Sequence, residues 1–140
     1  LTDHMAIIEG AATAEEKHAL VWCIHNMVPL KQFGGEVLNL VLYEHLVQDT
    51  ETEIASVMRQ IAPEVTTSVP RGLGEASATA GLESSIISGD DPVRRWQNEL
   101  SQEQIESILQ VVGAFGLDDL YAESPMPSQS GVDRWMGSES

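Results

Sequence analysis

Three times in this chain a Ser or Thr is followed, three residues on, by a Glu or Gln and then by an apolar stripe. The first is Thr13-Ala14-Glu15-Glu16, ahead of Leu20, Cys23, Ile24 and Met27. The second is Thr50-Glu51-Thr52-Glu53, ahead of Ile54, Val57, Met58 and Ile61. The third is Ser101-Gln102-Glu103-Gln104, ahead of Ile105, Ile108, Leu109 and Val112. In this pattern the hydroxyl takes an orphan backbone N–H of the first turn while the longer side chain reaches back to the cap. Each repeat therefore predicts a helix start. Pro29 and Pro63 predict the ends of the first two helices, and Gly113 with Gly116 the end of the third. All three are amphipathic and short, so each must bury its stripe against something.

Only Val37-Leu38-Asn39-Leu40-Val41-Leu42 reads as a strand. It follows Gly34-Gly35, and its apolar residues are nearly continuous rather than alternating. That pattern suggests a strand covered on both faces, as in a parallel sheet flanked by helices. The expected fold class is thus α/β. Such a strand exposes N–H and C=O groups along both edges, and each one left buried and unpaired costs about 1–3 kcal/mol. Partner strands are hard to find. Either Val65–Val69 and Ser84–Ile87 supply them, or the sheet belongs to a larger protein, and the second reading is preferred here. The Leu1 start fits an expectation that sequence has been lost upstream.

Charge narrows the function. With 22 Asp+Glu against 7 Lys+Arg in 140 residues, the formal net charge is −15. That argues against a nucleic-acid grip or attachment to anionic lipid, both of which need clustered cations. No apolar run approaches the roughly 20 residues that span a bilayer. With Cys23 as the single cysteine, an internal disulfide and a multi-cysteine metal site are both excluded. It has no neighbouring Lys or Arg and sits on an apolar stripe, so a buried, inert thiol is expected. His4, His18, His25 and His45 lack metal-ligand spacing. No GxxxxGK[ST] or GxGxxG run is present.

The candidate site is Ser88-Gly89-Asp90-Asp91-Pro92-Val93-Arg94-Arg95-Trp96, which holds the only adjacent basic pair. Two guanidinium groups can hold a phosphate by bidentate hydrogen bonds, with Trp96 fixing the loop. The competing reading pairs Arg94 and Arg95 with Asp90, Asp91 or Glu99 and leaves Trp96 as an anchor. Tyr43-Glu44-His45 follows the strand, where open α/β sheets place their sites, or else merely shapes a turn. Residues 64–92 form a Ser/Thr/Ala/Gly-rich loop, read as a lid or as a surface insertion. The tail, 122–140, is expected to be flexible, with Trp135 either docked or frayed.

Taken in order, these pieces resemble the C-terminal half of a sulfotransferase, a P-loop-type α/β enzyme using 3′-phosphoadenosine 5′-phosphosulfate (PAPS). A helix with Trp22 and Asn26 precedes a strand ending Val41-Leu42-Tyr43-Glu44-His45-Leu46-Val47, similar to the family's Tyr-Glu-Asp/Gln-Leu. Next come an amphipathic helix from Thr50 and, after a variable loop, Val93-Arg94-Arg95-Trp96-Gln97-Asn98-Glu99-Leu100. That segment is similar to the basic-residue-then-Trp stretch of carbohydrate and tyrosylprotein sulfotransferases. The last helix, closing at Leu117-Asp118-Asp119-Leu120-Tyr121, resembles the family's final one. Leu42 stands where the family has Arg, and Leu120 where it has Gly. The resemblance implies that 1–121 is the C-terminal part of such a domain. It further implies that Arg95, with Arg94, Ser88 and Trp96, binds the PAPS phosphates, and that no metal is needed. The acceptor would be a carbohydrate, a protein or a small molecule. The chain alone would be inactive, since the phosphosulfate-binding loop would lie upstream. Two other functions compete: an acidic helical module that docks a partner on apolar helix faces, and a fragment of another nucleotide-dependent enzyme such as a kinase.

Overall fold

The computed structural model describes residues 1–33, 39–64 and 91–136. They divide between two compact units, Leu1–Leu40 with Leu100–Ser140, and Val41–Glu99.

The first unit is built on α2 (Ala14–Phe33) and α6 (Gln102–Ala114), with α1 (Met5–Gly10) and α7 (Gln129–Trp135) beside them. Both long helices start where the capping signatures put them. Thr13 Oγ1 accepts from Glu16 N at 3.2 Å, and Glu16 Oε2 accepts from Thr13 N at 3.0 Å. Ser101 Oγ accepts from Gln104 N at 3.3 Å, and Gln104 Oε1 from Ser101 N at 2.9 Å. The two caps also touch: Gln104 Nε2 donates to Glu15, and Ser107 Oγ to Glu16 Oε1 at 2.8 Å. Two helix N-termini side by side bring two partial positive charges together, and the carboxylates between them offset that repulsion. Glu16 is accordingly held down to about 2, first by the N–H groups of Thr13 and Ala12 and then by the Ser107 hydroxyl.

Below the caps the stripes meet. Leu20, Cys23, Met27 and Leu30 of α2 are buried together with Val111, Val112, Phe115 and Leu117. Phe115 and Leu117 are among the largest fully buried side chains. Their burial depends on how α6 ends. Gly116 takes φ +70°, a conformation costly for any residue with a Cβ. Gly116 N then donates to Gly113 O at 2.9 Å and Leu117 N to Val112 O at 3.2 Å, the double bond of a Schellman motif. The reversal tips Leu117 back onto Val112 and into the core.

Pro29 does not end α2. The helix runs on to Phe33, although a proline inside a helix costs about 3 kcal/mol through its missing N–H and its clash with the preceding turn. The carbonyl left without its donor belongs to His25, an exposed residue, while Met27 and Leu30 on the other side are 3% and 5% exposed. Packing outweighs local preference here.

The segment after Tyr121, expected to trail as a tail, contains α7. Ser128 caps it by accepting from Gly131 N at 3.3 Å, and Asp119 accepts from Arg134 Nη1 at 2.6 Å and from Trp135 Nε1 at 3.1 Å. Gly131 lies so close to the backbone of Asp119 and Leu120 that a Cβ there would stand 2.1 Å from the Asp119 carbonyl oxygen.

In the second unit α3 (Tyr43–Gln48) and α4 (Thr50–Ile61) are separated only by Asp49. The second capping signature is shifted by one residue. Asp49, not Thr50, caps α4 by accepting from Thr52 N at 3.2 Å, and the Thr50 hydroxyl donates to Leu46 O at 2.7 Å instead. Asp49 outcompetes Thr50 because a carboxylate both accepts the N–H and answers the helix dipole. The helix closes at Ile61, one residue short of the position that Pro63 disfavours for helical backbone. A short helix, α5, spans Arg95–Glu99.

The α/β expectation is overturned: the described residues are helical and contain no strand. Asn39–Leu42 is an irregular link, with Leu42 extended at φ −93°, ψ 129° ahead of α3. Val37, Leu38 and the proposed strands at 65–69 and 84–87 lie outside the described residues. The link does not need sheet partners. Leu40 packs on the core of the first unit and Leu42, 6% exposed, is buried at the start of α3, whereas Asn39 is exposed and Val41 is 40% exposed. Over residues 39–42 the chain is a connector in which Leu40 and Leu42 are covered while Asn39 and Val41 are exposed.

Candidate functional site

The Arg-Arg-Trp segment was the sequence's strongest site. In the structure Asp91 organises it. Its Oδ1 accepts from Val93 N at 2.9 Å, and its carbonyl accepts from Arg94 N and Arg95 N at 3.1 and 3.0 Å. Val93, 4% exposed, pins the turn. The guanidinium groups engage nearby carboxylates: Arg94 Nε lies 3.4 Å from Asp91 Oδ2, and Arg95 Nε 2.5 Å from Glu99 Oε1. Trp96 is half-buried on α5. The pairing is the one the competing reading described. Exposed pairs of this kind contribute about 0–1 kcal/mol each. Ser88 lies outside the described residues, so Arg94, Arg95 and Trp96 are the part of the proposed PAPS site that is placed.

Tyr43 and Glu44 occupy the first turn of α3, not the end of a strand, and Tyr43 is 57% exposed. His18 and His25 are exposed on α2. His4 stacks on Phe115 with ring centroids 4.4 Å apart, and its Nδ1 is buried without a hydrogen-bond partner. Among the described residues no group of three or more His, Cys, Asp or Glu is placed to hold a metal ion. Cys23 is wholly buried, and burial pushes its thiol up to about 11, which leaves little thiolate at neutral pH. Among the described residues no helix is long and apolar enough to cross a membrane.

What the sequence reading did not name is which apolar residues stay at the surface. Tyr43, Val47 and Ile61 are exposed on α3 and α4, and α4 buries none of its residues. On α2, Val21 and Trp22 stand outside the buried stripe, 53% and 39% exposed. Trp22 meets Tyr121 edge to face at 5.3 Å, and its carbonyl accepts from Asn26 Nδ2 at 2.7 Å. A signal was present in the surplus of apolar residues over what one stripe needs, since Val21 and Trp22 fall on the far side of α2 from Cys23 and Met27.

Set against known proteins, the chain matches no family model, no curated protein and no solved structure.

Proposed function

We propose that this chain is a helical protein-interaction module that works by binding rather than catalysis, and that α3 and α4 take a cationic amphipathic segment of another protein. The observation that carries this reading is α4. Ile54, Val57, Met58 and Ile61 make one apolar stripe at helical spacing, yet none of them is buried and Ile61 is 61% exposed. An amphipathic helix gains most of its stability from a covered stripe. Tyr43 and Val47 of α3, 57% and 37% exposed, add to the apolar surface of the pair.

Charge selects the partner. Asp49, Glu51 and Glu53 surround the start of α4, and the chain as a whole carries −15. A potential of that sign draws cationic partners and speeds their encounter. The sulfuryl-transfer reading is not carried forward. It depended on residues 37–42 as an interior rung of a sheet, and on guanidinium groups offered to a nucleotide rather than to Asp91 and Glu99.

The test is calorimetric titration of the whole chain with a synthetic amphipathic Leu/Lys peptide, beside a Ser/Lys peptide of equal charge. Saturable binding of the first is expected, at least about tenfold tighter than of the second and weakened to a similar degree by Ile61→Asp. Equal binding of both peptides, or indifference to Ile61→Asp, would reduce the interaction to general charge attraction and overturn the reading.

A further inference from the structure

The first unit offers a surface of the opposite character. From Lys17 to Phe33 there is no Asp or Glu, in a chain that holds 22. The same seventeen positions contain two of the seven Lys and Arg residues and two of the four histidines. His18, Val21, Trp22 and His25 follow the i, i+3, i+4, i+7 spacing of a single helix face, and all four are exposed. Lys17 and Lys31 are exposed too and border one edge of that face, being close to a whole number of turns apart. The buried stripe of Leu20, Cys23, Met27 and Leu30 occupies the other side of the helix.

Three features make this face more than a scatter of exposed residues. Its apolar members are large, with Val21 at 53% and Trp22 at 39% exposure. Trp22 is already held by the edge contact to Tyr121, so little ordering entropy remains to be lost when a partner covers it. Tryptophan is also among the residues that most often dominate binding energy at interfaces. The basic rim completes the pattern: Lys17 Nζ donates to Ala12 O at 3.1 Å, which fixes the ammonium in place and leaves it further donors.

We infer that the exposed face of α2 is a docking stripe for an acidic amphipathic helix of another protein, anchored on Trp22 and Val21, with Lys17 and Lys31 receiving carboxylates. Charge complementarity selects this occupant. A cationic segment would find no counter-charge between Lys17 and Phe33. The inference does not rest on the reading of α4, because it concerns another helix and a partner of the other sign. Both together would make the chain an adaptor that holds two partners of opposite charge.

The experiment is titration of the full chain with a synthetic amphipathic Leu/Glu peptide, with the Leu/Lys peptide as companion. Saturable Leu/Glu binding is expected, weakened at least about tenfold by Val21→Asp or by the Lys17→Glu, Lys31→Glu pair, and by high salt. Leu/Lys binding should not weaken in those variants, so failure of one proposal is separable from failure of the other. Far-UV circular dichroism checks that each variant is folded; should Val21→Asp unfold, the lysine pair decides. Absence of saturable Leu/Glu binding, or indifference to the substitutions, overturns the inference. So does a dimer of the chain alone in sedimentation velocity that Val21→Asp abolishes, since the stripe would then belong to a second copy.

Discussion

α6 and α4 are near twins in sequence grammar, and the structure treats them differently. Each is an amphipathic helix of about three turns, opened by a side-chain cap and followed by a helix-ending residue. α6 buries Val111 and Val112, and its exit adds Phe115 and Leu117 to a core shared with α2. α4 buries nothing. An apolar stripe is therefore a requirement for cover and says nothing of where the cover comes from. For α6 it comes from the same unit; for α4 we place it on a partner.

Four substitutions break or sharpen that contrast. Phe115→Ala should cost the most, about 3–5 kcal/mol in urea unfolding, because a fully packed ring leaves a cavity. A cost below about 1 kcal/mol would mean the core of the first unit is loose, and the contrast with α4 would disappear. Gly131→Ala comes next, at about 1–3 kcal/mol, since the added methyl must displace α7 from the backbone of Asp119. The expected readout is loss of the Trp135 indole hydrogen bond to Asp119, seen as a changed tryptophan emission; unchanged emission and stability would refute the close approach.

Acid should weaken the joint between the α2 and α6 caps. Glu16 is held at about 2 in the folded chain against an ordinary 4.5. Its contribution is present above about 4.5 and is lost as pH falls towards about 2, because protonation removes the acceptor. Urea midpoints taken across that window should fall with pH in the wild type and fall less steeply in Glu16→Gln. Equal slopes would show that the carboxylate is not bonded as described. The smallest effect belongs to Val57→Ala on α4, expected below about 1 kcal/mol for a side chain only half covered. A cost above about 2 kcal/mol would mean that the stripe is already packed, and the docking surface proposed for α4 would be lost.

Helix starts and the buried stripe of α2 were legible in the residues, but the fold class was not. Thr13, Ser101 and Gly116 each perform the terminal role that their chemistry suits, and Leu20, Cys23 and Met27 point inward as their spacing requires. The misreadings share a cause. Continuous apolar sequence at 37–42 was taken as burial on two faces, whereas Leu40 and Leu42 are anchors to different places and Val41 is exposed. Pro29 was taken as a stop because local preference says so, but Met27 and Leu30 hold the helix on course. At the site, the ion pairing was as legible as the phosphate reading that competed with it. Arg94-Arg95 stood out as the only basic pair, yet Asp91 and Glu99 lie three and four positions away, within reach on one helical turn. The bare face of α2 was harder to see, because the placing of Val21 and Trp22 away from the Cys23–Met27 stripe shows only once the helix is drawn as a wheel.

One consequence follows from the seat that Gly131 makes for the final helix. With hydrogen alone tolerated at that spot, and with Asp119 gripping both Arg134 and Trp135, the last turn of α7 is a fixed handle on the first unit. A spin label or fluorophore attached to Gln129 or Asp133 would ride rigidly with α6. It would report distances to a helix bound on α2, within the same unit.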